Sequence, residues 1–183
     1  MEKLSLIIPD KTDLWFKKQM KEDPATMDYN AGYNVNYFGY DYNTGTIKTD
    51  AKELETVWYK RWINNFPQRI YFYVKKSADN TFVGEVCASY DEDKDSYEIS
   101  IIIKGEYRGK GYSSVAIKLL IDELKKRGAK KLYHEVPSSR VKAIKADLNN
   151  GFKVVKSGYN GIYLKFGKKE QMTFLELCLW NKK

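Results

Sequence analysis

The hexapeptide Arg108-Gly109-Lys110-Gly111-Tyr112-Ser113 follows an almost unbroken apolar run at 99–103, closed by Lys104-Gly105, and a long helical pattern begins at Ser114. A buried strand feeding a glycine-rich turn that opens a helix gathers unpaired backbone N–H groups and the positive end of a helix dipole in one place. A phosphate or diphosphate needs that arrangement. Arg108 and Lys110 add positive charge. Taken alone, the hexapeptide is equally compatible with a surface turn between strand and helix.

Spacing separates the kinds of phosphate loop. A nucleotide-triphosphatase loop needs four residues between its first Gly and a Gly-Lys pair followed by Ser or Thr, whereas Gly105 stands too close to Lys110 and Gly111 follows it. A dinucleotide fingerprint needs a third Gly or Ala where Ser114 stands. What remains is Arg/Gln-x-x-Gly-x-Gly/Ala, met at Arg108 and Gly111 and nearly met at Ser113. The following helix has a wide apolar face, formed by Val115, Ala116, Ile117, Leu119, Leu120, Ile121 and Leu124, with Gly128 as its stop. A short strand at 131–136 ends at Pro137, and Ser138 or Ser139 is expected to cap a second helix to Asn150.

The second helix reads Arg140-x-x-Ala143-Ile144-x-Ala146-Asp147-x-x-x-Gly151-Phe152. It resembles, without a gap, the signature Asn-x-x-Ala-x-x-Leu-Tyr-x-x-x-Gly-Phe of the GNAT superfamily of acyl-CoA-dependent N-acetyltransferases, as the Arg108 loop resembles that family's pyrophosphate loop. The resemblance covers about 70–166. It implies an α/β (α+β) fold with a central mixed, mostly antiparallel sheet of about seven strands, splayed between the fourth and fifth and flanked by about four helices.

The same resemblance implies acetyl-CoA lying between the strands at 99–104 and 131–136. Backbone and side chains of Ile101, Ile102 and Ile103 would meet the pantetheine arm and thioester, with Ile101 and Ile103 lining the thioester pocket. The N–H groups of Gly109, Lys110, Gly111, Tyr112, Ser113 and Ser114 would hold the diphosphate beside Arg108, and Arg140 stands where the family's Asn often helps to hold the arm. An amine would attack the thioester directly, with no acyl-enzyme. An alkyl ammonium must first lose a proton, so a base is required. Glu98, where the family often carries its base, and Glu85 on the neighbouring strand are the candidates; the plain alternative for each is a carboxylate paired with Lys. Asp147 replaces the Tyr proposed in the family to protonate the departing thiolate, and is expected as a solvated helix carboxylate. Tyr29, Tyr33 and Tyr37, in the irregular Tyr-, Asn- and Gly-rich segment at 22–49, are expected to form the acceptor wall or to pack in the core.

Length and composition agree with one domain over 1–183, with a CoA-binding core at about 70–166 and acceptor-side helices and loop at about 10–66. The chain has 183 residues and is 43% apolar. No run approaches the about twenty apolar residues of a membrane span, and a cytoplasmic protein is expected, as monomer or homodimer. Cys87 and Cys178 lack metal spacing and read as small core residues; His134, the one histidine, reads as a packed side chain. The net charge of +8 and 15 Tyr invite a basic nucleic-acid-binding domain as an alternative, but the lysines are interleaved with acids. A non-catalytic CoA-binding regulator is a third reading. The acceptor would be an amine-bearing small molecule or a protein N-terminus or lysine.

Further strands are expected at 3–8, 70–75, 81–89, 96–104, 153–157, 162–166 and 172–180, with a turn at Gly158–Gly161. Helices are expected to follow Pro9-Asp10 and to be capped by Thr49 or Asp50.

Overall fold

The computed structural model describes residues 2–63 and 65–179. Its centre is a seven-stranded sheet in the order β1-β2-β3-β4-β5-β7-β6, antiparallel except for the parallel pair β4–β5. The strands are β1 Leu4–Ile7, β2 Arg69–Lys76, β3 Phe82–Asp91, β4 Ser96–Ile103, β5 Lys131–Pro137, β6 Lys153–Lys165 and β7 Lys168–Cys178. Helices α1 Leu14–Glu22 and α2 Pro24–Met27 follow β1. An interrupted helix over 51–62 precedes β2: α3 Ala51–Glu53, a π-helical turn Leu54–Trp58, and α4 Tyr59–Trp62. The long α5 Tyr112–Lys126 joins β4 to β5, and α6 Val141–Asn149 joins β5 to β6. This is the mixed, splayed sheet that the resemblance implies.

Strand periodicity of two sorts the sheet into two faces. Ile70, Phe72 and Val74 of β2, Val86 and Ala88 of β3, and Tyr97, Ile99 and Ile103 of β4 pack with Ala116, Ile117, Leu120, Ile121 and Leu124 of α5. On the other face Tyr71 and Tyr73 pack with Phe16 and Met20 of α1, and with Trp58 and Trp62 of the interrupted helix. Asp50 starts that helix as expected, its carboxylate accepting from Glu53 N at 2.8 Å.

The parallel β4–β5 ladder consists of Tyr97↔Leu132 and Glu98↔Tyr133 and goes no further. Beyond Glu98 the strands diverge, so backbone groups of β4 at 99–103 face an opening where a neighbouring strand would normally pair them.

Three local expectations need correction. Residues Gly158 and Gly161 make no turn: β6 runs unbroken through them, and the hairpin turns at Phe166-Gly167, both left-handed at φ 47° and 72°. The two glycines sit at register shifts between Ser157 and Tyr159 and between Asn160 and Leu164, so they absorb bulges. The N-cap of α6 is Arg140 without a side-chain cap bond, while Ser138 Oγ lies 2.8 Å from Thr173 Oγ1. Cys178 is exposed at the end of β7; Trp180, the expected end of that strand, lies outside the described residues.

Candidate active site

The loop after β4 is built by α2. Gly105 N donates to Thr26 Oγ1 at 2.8 Å, and a Cβ at Gly105 would stand 2.7 Å from Ala25 O, so only glycine admits this approach. The Arg108 guanidinium is committed to the same anchor, donating to Thr26 O and to Asp28 Oδ1 at 2.8 Å. It therefore fixes the loop from behind. Gly109 and Gly111 both adopt the left-handed region, at φ 80° and 79°, and Gly111 is the N-cap of α5 with no side chain capping the helix. The first N–H groups of a fifteen-residue helix are thus left open beside two exposed glycines. Lys110 adds an exposed ammonium 5.2 Å from the Tyr107 ring. Tyr112 turns its side chain away into the core, its hydroxyl donating to Glu2, so its main chain alone faces the loop.

On the opposite face of the sheet a cavity of about 360 Å³ is lined by Lys17, Trp58, Trp62, Tyr71, Glu85, Cys87, Ser89, Glu98 and Ser100. Registers Tyr71↔Cys87↔Ser100 and Ser89↔Glu98 bring its strand residues side by side. The two candidate carboxylates share this cavity in different states. Glu85 is buried and already satisfied: Lys17 Nζ lies 2.6 Å from Oε1, and the Tyr71 hydroxyl donates to Oε2. The Lys17 ammonium also lies 5.3 Å from the Trp58 ring and 5.2 Å from Tyr71. Glu98 opens onto the cleft, and among the described residues no cation pairs with it. Protein surrounding it raises its pKa by desolvation, opposed by the Tyr133 hydroxyl 3.4 Å from Oε2. Tyr133 itself bonds Asp91 at 2.8 Å, and Asp91 is held down at about 2, first by Lys94 and then by Tyr133. Burial pushes the Cys87 thiol up to about 12, so it is no nucleophile.

The expected residues fall into separate groups. Glu98 and Glu85 meet in the cavity. Ile102 packs on the cavity face, whereas Ile103 is buried in the α5 core with Ile101 against it. Tyr33 belongs to the β6–β7 hairpin, its hydroxyl donating to Glu170; Tyr29 spans both groups, its backbone oxygen accepting from Arg140 and Lys165 at 2.9 and 2.8 Å while its hydroxyl lies near enough to Glu85 and Cys87 of the cavity wall for their charges, after desolvation, to raise its pKa. Tyr37 is exposed. Asp147, expected in solvent, is fully buried against His134. Lys17, Trp58, Trp62, Tyr71 and Ser100 were absent from the sequence-based site. For Tyr71 and Ser100 the alternation of their strands carried a signal, since they share a face with Glu85 and Glu98.

The profile of the Acetyltransferase (GNAT) family matches residues 36–152, well over half of the chain. The chain belongs to the GNAT acetyltransferase family. It is accordingly an enzyme that transfers an acetyl group from acetyl-CoA to an amine. The uncapped start of α5, the paired left-handed glycines and the splayed strands are consistent with that acyl donor. Among solved structures, the spermidine N-acetyltransferase of Vibrio cholerae in complex with CoA and spermine superposes with a TM-score of 0.75 at 20% identity, over 96% of this chain and 95% of that one. A putative acetyltransferase from Salmonella typhimurium with its cofactor acetyl-CoA gives 0.71 at 18% identity, over 98% and 95%. At these identities the likeness concerns the fold. No curated protein matches the sequence. Among the described residues no helix is long and apolar enough to cross a membrane.

Proposed function

We propose that this GNAT enzyme acetylates a primary aliphatic amine, with Glu98 as the base and the aromatic cavity as the acceptor site, by direct attack on the thioester. The observation that carries this reading is the position of Glu98. It is the last β4 residue paired to β5, so the sheet opening and the cavity meet at its carboxylate, with which no cation forms an ion pair among the described residues. An incoming ammonium would find the Glu98 carboxylate in a cavity with Trp58 and Trp62 in its wall, and such rings attract alkyl cations. Glu98, its pKa already raised, is suited to removing the ammonium proton before attack. The N–H groups from Gly109 to Ser114 would hold the diphosphate, and the open edge of β4 at 101–103 would pair with the pantetheine arm. Acceptor-side elements lie at about 10–66 and the CoA core at about 70–166, within one domain. Polyamines are the first acceptors to try, because structural neighbours acetylate them; Lys17, however, already supplies one ammonium to Glu85, which favours acceptors with a single cation in this cavity.

A panel of monoamines, polyamines and amino-terminal peptides, read by free thiol release from acetyl-CoA, tests this. Release with aliphatic amines, lost in Glu98→Gln, supports the proposal. Calorimetric CoA binding without release for any amine would instead indicate a CoA-binding regulator. No CoA binding, with salt-sensitive stabilisation by oligonucleotides, would indicate a nucleic-acid binder.

A further inference from the structure

His134 and Asp147 form a buried pair that the proposal above leaves unused. His134 Nδ1 lies 3.0 Å from Asp147 Oδ2; Asp147 is 0% exposed, and its Oδ1 has no hydrogen-bond partner among the described residues. A buried carboxylate with one oxygen unsatisfied costs stability, so packing alone does not account for it. The histidine side chain retains 11% exposure, making it the accessible end of the pair. Its place in the sheet is specific. His134 is the first β5 residue beyond the last β4–β5 pair, Glu98↔Tyr133, and so stands at the mouth of the splay. Glu98 lies near enough for charge on His134 to lower its pKa. Asp147 occupies the α6 position where the signature it resembles carries Tyr, yet it is too deeply buried to reach a ligand itself.

We propose that His134, held by Asp147, donates the proton taken up by the departing thiolate. The inference rests on the acetyl-transfer reading above. With Nδ1–H bonded to Asp147, a protonated ring would have Nε2–H left to donate. The neutral amine forms the C–N bond, and the C–S bonding pair leaves on sulfur, which takes the Nε2 proton. Glu98 having already taken the ammonium proton, the new amide nitrogen gives its surplus proton to water; Glu98 then releases its proton to solvent, and His134 is reprotonated from solvent. Counting the proton lost by the ammonium before attack, an ammonium and a thioester become an amide, a thiol and one proton. His134 would be a catalytic residue and Asp147 a positioning residue.

Because His134 is the one histidine in the chain, isotope-labelled histidine gives a single set of ring resonances. Adding CoA should shift them, and desulfo-CoA, which lacks the sulfur, should shift them much less. CoA binding detected by calorimetry without movement of the ring resonances overturns the proposal while leaving the acetyl-transfer reading intact. Absence of CoA binding overturns both. In kinetics with the best amine from the panel, His134→Asn keeps a group near Nδ1 and none at Nε2. It should lower kcat about 100-fold with KM for acetyl-CoA unchanged, in line with the usual gain from general acids. An unchanged kcat refutes the role. Asp147→Asn should move the ring resonances of unliganded His134 and lower kcat with KM unchanged; unchanged resonances and kcat would remove Asp147 from the scheme.

Discussion

Replacing Lys17 by Met tests whether Glu85 is neutralised within the cavity wall. Both side chains are almost withdrawn from water, at 9% and 5% exposure, and their charged atoms are 2.6 Å apart. Removing one partner of such a pair strands the other charge, at a cost of about 3–5 kcal/mol. In a chain of 183 residues that corresponds to a fall in Tm of about 6–20 °C, taking about 2–4 °C per kcal/mol. The double variant Lys17→Met/Glu85→Gln leaves no stranded charge, and its amide oxygen still accepts from Tyr71. It should recover most of the loss, so the cycle should show coupling of about 2–3 kcal/mol. Lys126→Met is the control: its pair with Glu123 is 71% and 28% exposed, so water screens it and its loss should leave stability nearly unchanged. Urea denaturation at neutral pH measures Lys17→Met, Glu85→Gln, their double variant and Lys126→Met against the parent. A cost below about 1 kcal/mol for Lys17→Met would mean that water already reaches Glu85. Glu85 would then be as open to an incoming proton as Glu98, and Glu98 would no longer stand alone as the base.

Glu98→Gln should lower kcat/KM by about 100-fold or more and remove the acidic limb of the pH profile, which in the parent lies above the ordinary glutamate range. A raised folded pKa also means that ionising Glu98 costs stability as pH rises through it, so Glu98→Gln should gain on the parent at pH 8 relative to pH 4; thermal scans at both values check the sign. Gly109→Ala and Gly128→Ala form a matched pair, with φ of 80° and 85° and open space around each added Cβ. Each should cost about 1–2 kcal/mol in chemical denaturation, while calorimetry should show weaker CoA binding for Gly109→Ala alone. Equal loss of affinity in both would detach the loop from the ligand.

The elements that carry the fold were legible because each is written in local chemistry. The apolar run at 99–103 and the stripe on α5 fix a buried strand and the helix covering it, and Gly128, left-handed at φ 85°, follows the end of that helix as its sequence position suggested. The β6–β7 hairpin was misplaced because Gly158 and Gly161 have the composition of a turn, whereas the turn itself begins with Phe166 at positive φ, where a bulky residue is unexpected. The glycines served to drop residues from the register instead. The site was legible only by halves. Alternation along β3 and β4 put Glu85, Cys87, Glu98 and Ser100 on one face, but nothing local marks Lys17 as buried, since lysine in a short amphipathic helix ordinarily faces water. Its burial follows from a partner 68 positions away, Glu85, and from the rings of Trp58 and Tyr71 that lie against its ammonium. Asp147 fails for the same reason. Its neighbours along α6 describe a solvated helix, and His134, which draws it inside, belongs to a different strand. Long-range charge pairing decided both cases: Lys17 in the cavity and His134 on β5 each engage a buried carboxylate, whereas Glu98, also in the cavity, has no ion-pair partner among the described residues.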